Sequence, residues 1–176
     1  MINNLLIRAT YFSSTMGVQE IHGFLKLGDI DITRYNIDPG GMTPLLDAMY
    51  SGVGASNVYA KDLFDADYDV NAITFVITDG WENASLRNKD DVRFEIAKSI
   101  REEYLLSHNV ILIGINATQY LPELEQLAAD LGTDFLDAGD ISDEALARLA
   151  QFVTGSISSS STTLTTGNSN PLNASF

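Results

Sequence analysis

Asp79 and Thr43 are the two side chains best placed to do chemistry. Asp79 directly follows residues 72–78 (AITFVIT), a nearly continuous apolar, β-branched run of the kind covered on both faces of a parallel sheet. A carboxylate at the end of such a strand is oriented by rigid backbone, and Gly80 behind it lets the chain turn sharply. Thr43 stands before Pro44 in the stretch GGMTPLLDA. Pro suits a first helical position and Thr can cap it, so an ordinary helix start is the plain reading. The sharper reading joins the two. A carboxylate and a hydroxyl converging at one sheet edge suit a hard cation such as Mg²⁺, which takes oxygen ligands at ~2.0–2.1 Å in an octahedron and leaves positions to water or a partner.

Other constellations are weaker. There is no cysteine, hence no thiol nucleophile, disulfide or Cys-ligated zinc, and His22 and His108 are the only histidines. His22 reads as a surface residue of an edge strand, and His108 as lying near a helix C-terminus. Asp65-x-Asp67-x-Asp69 lacks the Gly and Glu of a calcium loop, since Val70 and Val76 hold those positions. It reads as a solvated acidic loop. Gly52-Val53-Gly54 lies late in a helical pattern, where a helix terminator is expected rather than a phosphate cradle.

The elements that must position Asp79 and Thr43 alternate along the chain. Residues 5–12 and 19–27 read as strands joined by a turn-rich segment, an antiparallel hairpin. A polar loop follows, broken by Pro39-Gly40-Gly41, and then a helix from about Thr43-Pro44 with Leu45, Leu46, Met49 and Val53 toward the core. After the strand at 72–78, residues 90–108 read as an amphipathic helix with Ile96, Ile100 and Tyr104 on one face. Residues 110–115 are a buried strand, 121–131 a helix, 135–136 a short strand and 142–153 the last helix. Strands alternating with helices imply an α/β fold, a mostly parallel sheet with helices on both faces. Sites in such sheets lie beyond the C-terminal strand ends, where Asp79 falls.

The chain has 176 residues, 45% of them apolar, with 10 Lys+Arg against 24 Asp+Glu and a net charge of −14. That balance argues against nucleic acid, whose phosphates need clustered Lys and Arg. No apolar run reaches the ~18–20 residues of a membrane span, and the N-terminus lacks the pattern of a secretory signal. The expectation is a soluble, acidic, cytoplasmic domain over residues 1–153. Residues 154–176 carry no charge, and 12 of the 23 are Ser or Thr; they read as a flexible tail.

GGMTPLLDA followed by FVITDGWEN, with 36 positions from Thr43 to Asp79, resembles the von Willebrand factor A (vWA) domain. The resemblance implies a Rossmann-like three-layer αβα fold with an antiparallel edge hairpin. It also implies a metal-ion-dependent adhesion site made of three loops: a D-x-S-x-S after the first strand, a Thr ahead of a helix, and an Asp in a T-D-G-type turn. Thr43 matches the second and Asp79 the third. Trp81, Glu82, Gly41 and Met42 then form a partner-binding rim. The ion would be Mg²⁺, or Mn²⁺ or Ca²⁺, and the partner a protein offering an Asp or Glu.

The family's first strand, D-x-S-x-S and first helix should precede Leu5, where this sequence has Met1-Ile2-Asn3-Asn4. Placing that motif at Tyr11-x-Ser13-x-Thr15 fails, because Tyr is no carboxylate and the stretch to Met42 is too short for the elements between. The fold is therefore expected to be N-terminally incomplete, without the central strand of the order 3-2-1-4-5-6. A late start or interrupted gene, a separate chain supplying the missing strand, and two half-sheets closing into a metal-free form all remain open. The functional expectation is a non-enzymatic protein-binding module, with no catalytic residues and a partial Mg²⁺ site completed by the missing segment. A metal-free scaffold subunit is the alternative. A phosphoryl-transfer enzyme of the D-x-D-G type would need an Asp where Ile77 stands.

Overall fold

In the computed structural model, residues 4–37, 40–140 and 142–166 are described, apart from the side chains of residues 100 and 160–166. The chain is α/β. Strands β1 (Leu6–Ser13) and β2 (Gly17–Lys26) form an antiparallel hairpin, and helix α1 (Leu45–Phe64) follows after two short 3-10 turns. Strand β3 (Asn71–Thr78), helix α2 (Lys89–Arg101), strand β4 (Ser107–Gly114), helix α3 (Leu121–Leu131), strand β5 (Asp134–Asp137) and helix α4 (Asp143–Thr166) complete it. β3, β4 and β5 make a parallel sheet in that order, and β1 and β2 make a separate two-stranded sheet.

The period-2 alternation of β4 divides the core. Val110 and Leu112 turn to a cluster with Leu45, Met49 and Val53 of α1, Val92 of α2 and Leu124, Leu127 and Leu131 of α3. Ile111 and Ile113 turn the other way, onto Leu136 and Leu149, with Phe75 and Phe152 packed beside them. Helices therefore cover both faces of the parallel sheet. Helix α1 also reaches the hairpin, where Tyr59 stacks on Phe24 with ring centroids 4.3 Å apart. Among the described residues, no helix is long and apolar enough to cross a membrane.

Several sequence expectations change. Helix α1 runs through Gly52 and Gly54 instead of ending there. A Cβ on Gly52 would stand 3.0 Å from Thr74 Cγ2 on β3, so this glycine serves close helix–strand packing. Helix α2 stops at Arg101, and Glu103 takes a left-handed φ of 56°. Tyr104 thereby leaves the helix and packs on Phe64, and His108 lies on β4. Of the expected apolar face, Ile96 is partly buried against the core and the Ile100 side chain lies outside the described residues, while Val92, Glu95 and Ser99 are fully buried on α2 as well.

His22 is 4% exposed, within 2.6 Å of the Tyr35 hydroxyl, so it is buried in the hairpin rather than on its surface. Helix α4 continues thirteen residues past Val153. Two of its hydroxyls turn back to the preceding turn, Thr154 donating to the Ala150 carbonyl at 2.8 Å and Ser158 to that of Thr154 at 2.9 Å, so these polar groups are satisfied within the helix. Residues 167–176 of the expected tail, and Pro39 of the expected breaker, lie outside the described residues.

Candidate functional site

The turn after β3 is shaped by Thr78, whose hydroxyl accepts from the Gly80 N–H at 3.1 Å and donates to the Gly80 carbonyl at 3.0 Å. Asp79 sits at the apex, exposed, and its carboxylate has no hydrogen-bond or ionic partner among the described residues. Thr43 lies against this turn. A Cβ on Gly80 would fall 2.7 Å from Thr43 Oγ1, so only glycine allows the approach. The Thr43 N–H donates to Asn83 Oδ1 at 2.8 Å, and its carbonyl accepts from the Asn83 N–H at 3.2 Å. The two sequence-predicted positions are thus brought to one edge.

Thr43 does not cap α1. The cap position is Pro44, which offers no side-chain bond, and Glu82 takes over the task from 36 residues away. One Glu82 oxygen accepts from Leu46 N–H at 2.8 Å and Ser85 Oγ at 2.7 Å; the other accepts from the N–H groups of Ala84 and Ser85 at 3.0 and 2.8 Å. Both oxygens are occupied, and a carboxylate at a helix N-terminus is favoured by the helix dipole. Glu82 is therefore turned into the fold instead of out along a rim. Asp47 ties the same loop from α1, accepting from Leu86 N–H at 3.0 Å and Arg87 N–H at 2.8 Å. The Arg87 guanidinium lies over the Tyr50 ring at 4.3 Å.

Trp81 is half-buried and packs against the core beneath the loop. Gly41 and Met42 are exposed. Gly41 has φ 88°, and a Cβ there would meet Ser14 Oγ at 2.8 Å, so this backbone needs glycine. Met42 is 55% exposed and Leu86 is 96% exposed, leaving two apolar side chains on the rim. Sequence reading passed over Asn83, Ser85, Asp47 and Leu86. An Asp in the first turn of a helix was the one available signal, since such residues often hold backbone N–H groups.

For a divalent cation, the donor set is short. Asp79 and Thr43 bring two donor groups and one negative charge where Mg²⁺ takes six ligands, and Glu82 is already committed to backbone N–H groups and the Ser85 hydroxyl. Among the described residues no three His, Cys, Asp or Glu side chains are grouped as a metal site. The residues present do not make a complete site in this chain alone.

A second polar cluster lies inside the fold. His108 Nε2 is 2.9 Å from Thr74 Oγ1, and Nδ1 is 2.9 Å from Ser99 Oγ. Ser99 donates to Asn57 Oδ1 at 2.6 Å, and the Asn57 amide donates to Glu95 Oε1 at 2.9 Å and to the Glu95 carbonyl at 3.0 Å. Burial pushes the His108 imidazole down to about 4. Ser99 is 4% exposed, so this Ser–His pair is closed to substrate and serves packing between α1, α2 and β4. No family model matches the sequence, and no curated protein matches it.

Proposed function

We propose that the chain is a non-catalytic protein-binding module of the vWA type, with the loop cluster of Gly41–Thr43 and Asp79–Asn83 as its recognition face. The carrying observation is Asp79, an exposed carboxylate without a partner among the described residues, beside a loop that Thr43, Glu82 and Asp47 hold through hydrogen bonds. Preorganisation of that kind reduces the entropy lost on binding. Exposed Met42 and Leu86 beside it provide apolar contact, the mixture expected of an interface.

Metal enters this reading only with a further segment. Asp79 and Thr43 would hold Mg²⁺ together with a D-x-S-x-S loop, and the ion would supply an open position for an acidic side chain of the partner protein. Calorimetric titration with Mg²⁺ tests this on two proteins: the chain itself, and the chain carrying an N-terminal apolar strand that ends in Asp-Gly-Ser-Gly-Ser. Heat of binding is expected in the second alone, and Asp79→Ala abolishes it. Silence in the extended protein, or heat that survives Asp79→Ala, overturns the reading.

A further inference from the structure

Strand β2 spends two more residues than β1 between the Ile7–Leu25 and Thr10–Glu20 pairs, so the hairpin is bulged on both sides of Ala9. Bulges re-aim side chains and are frequent beside binding sites. Here they carry Glu20 back along the hairpin to Arg8, whose Nε donates to Glu20 Oε2 at 2.7 Å. Arg8, Glu20 and Gly23 line a cleft of about 380 Å³ between the hairpin and α1, and Phe24, Val58 and Tyr59 give it apolar walls. The stacked Phe24 and Tyr59 rings lie within 13° of parallel. Val58 is 63% exposed, an apolar side chain left in solvent.

Most of the hydrogen-bonding capacity of the ion pair is unused. A guanidinium has five N–H donors, and Nε carries one of them. The others, on the two Nη groups of Arg8, have no partner among the described residues, and neither has Glu20 Oε1. The Arg8 side chain is nevertheless only 17% exposed. Glu20 Oε1 lies by the bare backbone of Gly23, where an added Cβ would stand 3.8 Å from it. The pair therefore offers donors and an acceptor side by side, with its own charges already balanced. An anion entering the cleft would meet Glu20 and a chain of net charge −14, and a cation would meet Arg8. The complementary group is neutral and carries an acceptor beside a donor.

We propose that this cleft binds a neutral, planar cyclic amide of one or two rings, the class to which oxopurines and oxopyrimidines belong. Its carbonyl, with two lone pairs, accepts from the Arg8 Nη groups, and the adjoining ring N–H donates to Glu20 Oε1. The ring faces pack against Phe24, Val58 and Tyr59, which supply apolar area with little side-chain freedom to lose. The volume stands at the small end of the ~300–1,000 Å³ usual for ligand sites, which suits a ring system of this size. None of these residues belongs to the Gly41–Thr43 and Asp79–Asn83 face, so the inference stands apart from the adhesion reading and from Mg²⁺.

The test is an NMR amide titration of the full chain with inosine, whose ring carries a C=O beside an N–H, and with N1-methylinosine, which keeps the carbonyl and loses that N–H. Inosine is expected to give saturable shifts centred on Arg8, Glu20, Gly23 and Tyr59. The methyl analogue should bind about tenfold more weakly, because Glu20 Oε1 then faces a methyl group instead of a donor. Arg8→Lys keeps the charge beside Glu20 but loses the planar fork. It should weaken inosine about tenfold with little change in the urea midpoint, since a surface ion pair contributes little to stability. Should that variant fold poorly, the methyl analogue decides on the wild-type chain. Absence of saturable shifts with inosine, equal affinity for the methyl analogue, or shifts centred on the Asp79 loop overturns the proposal. Tighter binding of benzoate than of inosine overturns it too, because Arg8 then serves an anion.

Discussion

His108 makes the stability of this fold depend on pH in a calculable way. The bond directions around it follow from Asn57, whose amide faces two Glu95 oxygens and must donate to both. Its Oδ1 then accepts the Ser99 proton, Ser99 Oγ accepts from His108 Nδ1–H, and Nε2 accepts from Thr74. The neutral ring is fully satisfied; the cation would be desolvated. With the imidazole at about 4 in the fold and about 6.5 unfolded, the unfolded state binds the extra proton between these values. Stability is therefore intact above pH 6.5 and falls as pH drops toward 4. Linkage gives a loss of about 2 kcal/mol between pH 7 and 5, and about 3 kcal/mol in all. Urea denaturation of the wild type and of His108→Gln at pH 7, 6 and 5 isolates the effect, because carboxylates and net-charge repulsion act on both proteins. The wild-type midpoint should fall by about 1 M more than that of the variant over this range. Identical pH slopes in the two proteins, or an NMR titration of His108 centred near 6.5, would refute the reasoning.

Four further outcomes follow from the contacts. Glu82→Gln should destabilise by about 1–2 kcal/mol, since a charged acceptor is lost from the α1 N-terminus and the loop together; thermal unfolding reads it. Gly52→Ala should destabilise by about 1–3 kcal/mol against Thr74, whereas Gly54→Ala, whose Cβ would meet Glu95 at an ordinary 3.6 Å, should be neutral or stabilising by up to about 1 kcal/mol through helix propensity; denaturant midpoints of the pair compare them. Asp79→Asn should leave stability within about 0.5 kcal/mol, because the carboxylate has no partner to lose, and calorimetric unfolding checks it. Asp47→Asn, which weakens the acceptor for Leu86 and Arg87, should loosen the loop, seen as faster amide exchange at those two residues with little change elsewhere.

How legible each element was depended on whether its signal was local. Residues 121–131 carry Pro near the start and Gly132 just past the end, local punctuation that names both boundaries. β3 and β4 announced themselves by β-branched apolar runs. Helix α2 was over-extended because Tyr104 continues a helical spacing, while the break at Glu103 is a backbone choice decided by Tyr104 packing on Phe64. Thr43 and Asp79 stand out in the sequence because each adjoins an element end. Glu82 was placed on a rim because its use depends on a helix 36 residues away, and the Ser99–His108 pair stayed hidden because α2 and β4 meet only in the fold.

The loop after β3 shows why its one unpaired carboxylate is informative. Asp79, Glu82 and Asp47 lie in the same small region, and two of them are drawn inward by backbone N–H groups that a helix start and a tight loop would otherwise leave unsatisfied. Those bonds hold the segment from Gly80 to Arg87 against α1, and Thr43 is held against it in turn. Asp79 receives no such return: among the described residues no donor bonds to it, although donors are plentiful a few residues away. A frame that satisfies both neighbouring acids, yet leaves this one in solvent, concentrates negative potential at the exposed turn after β3.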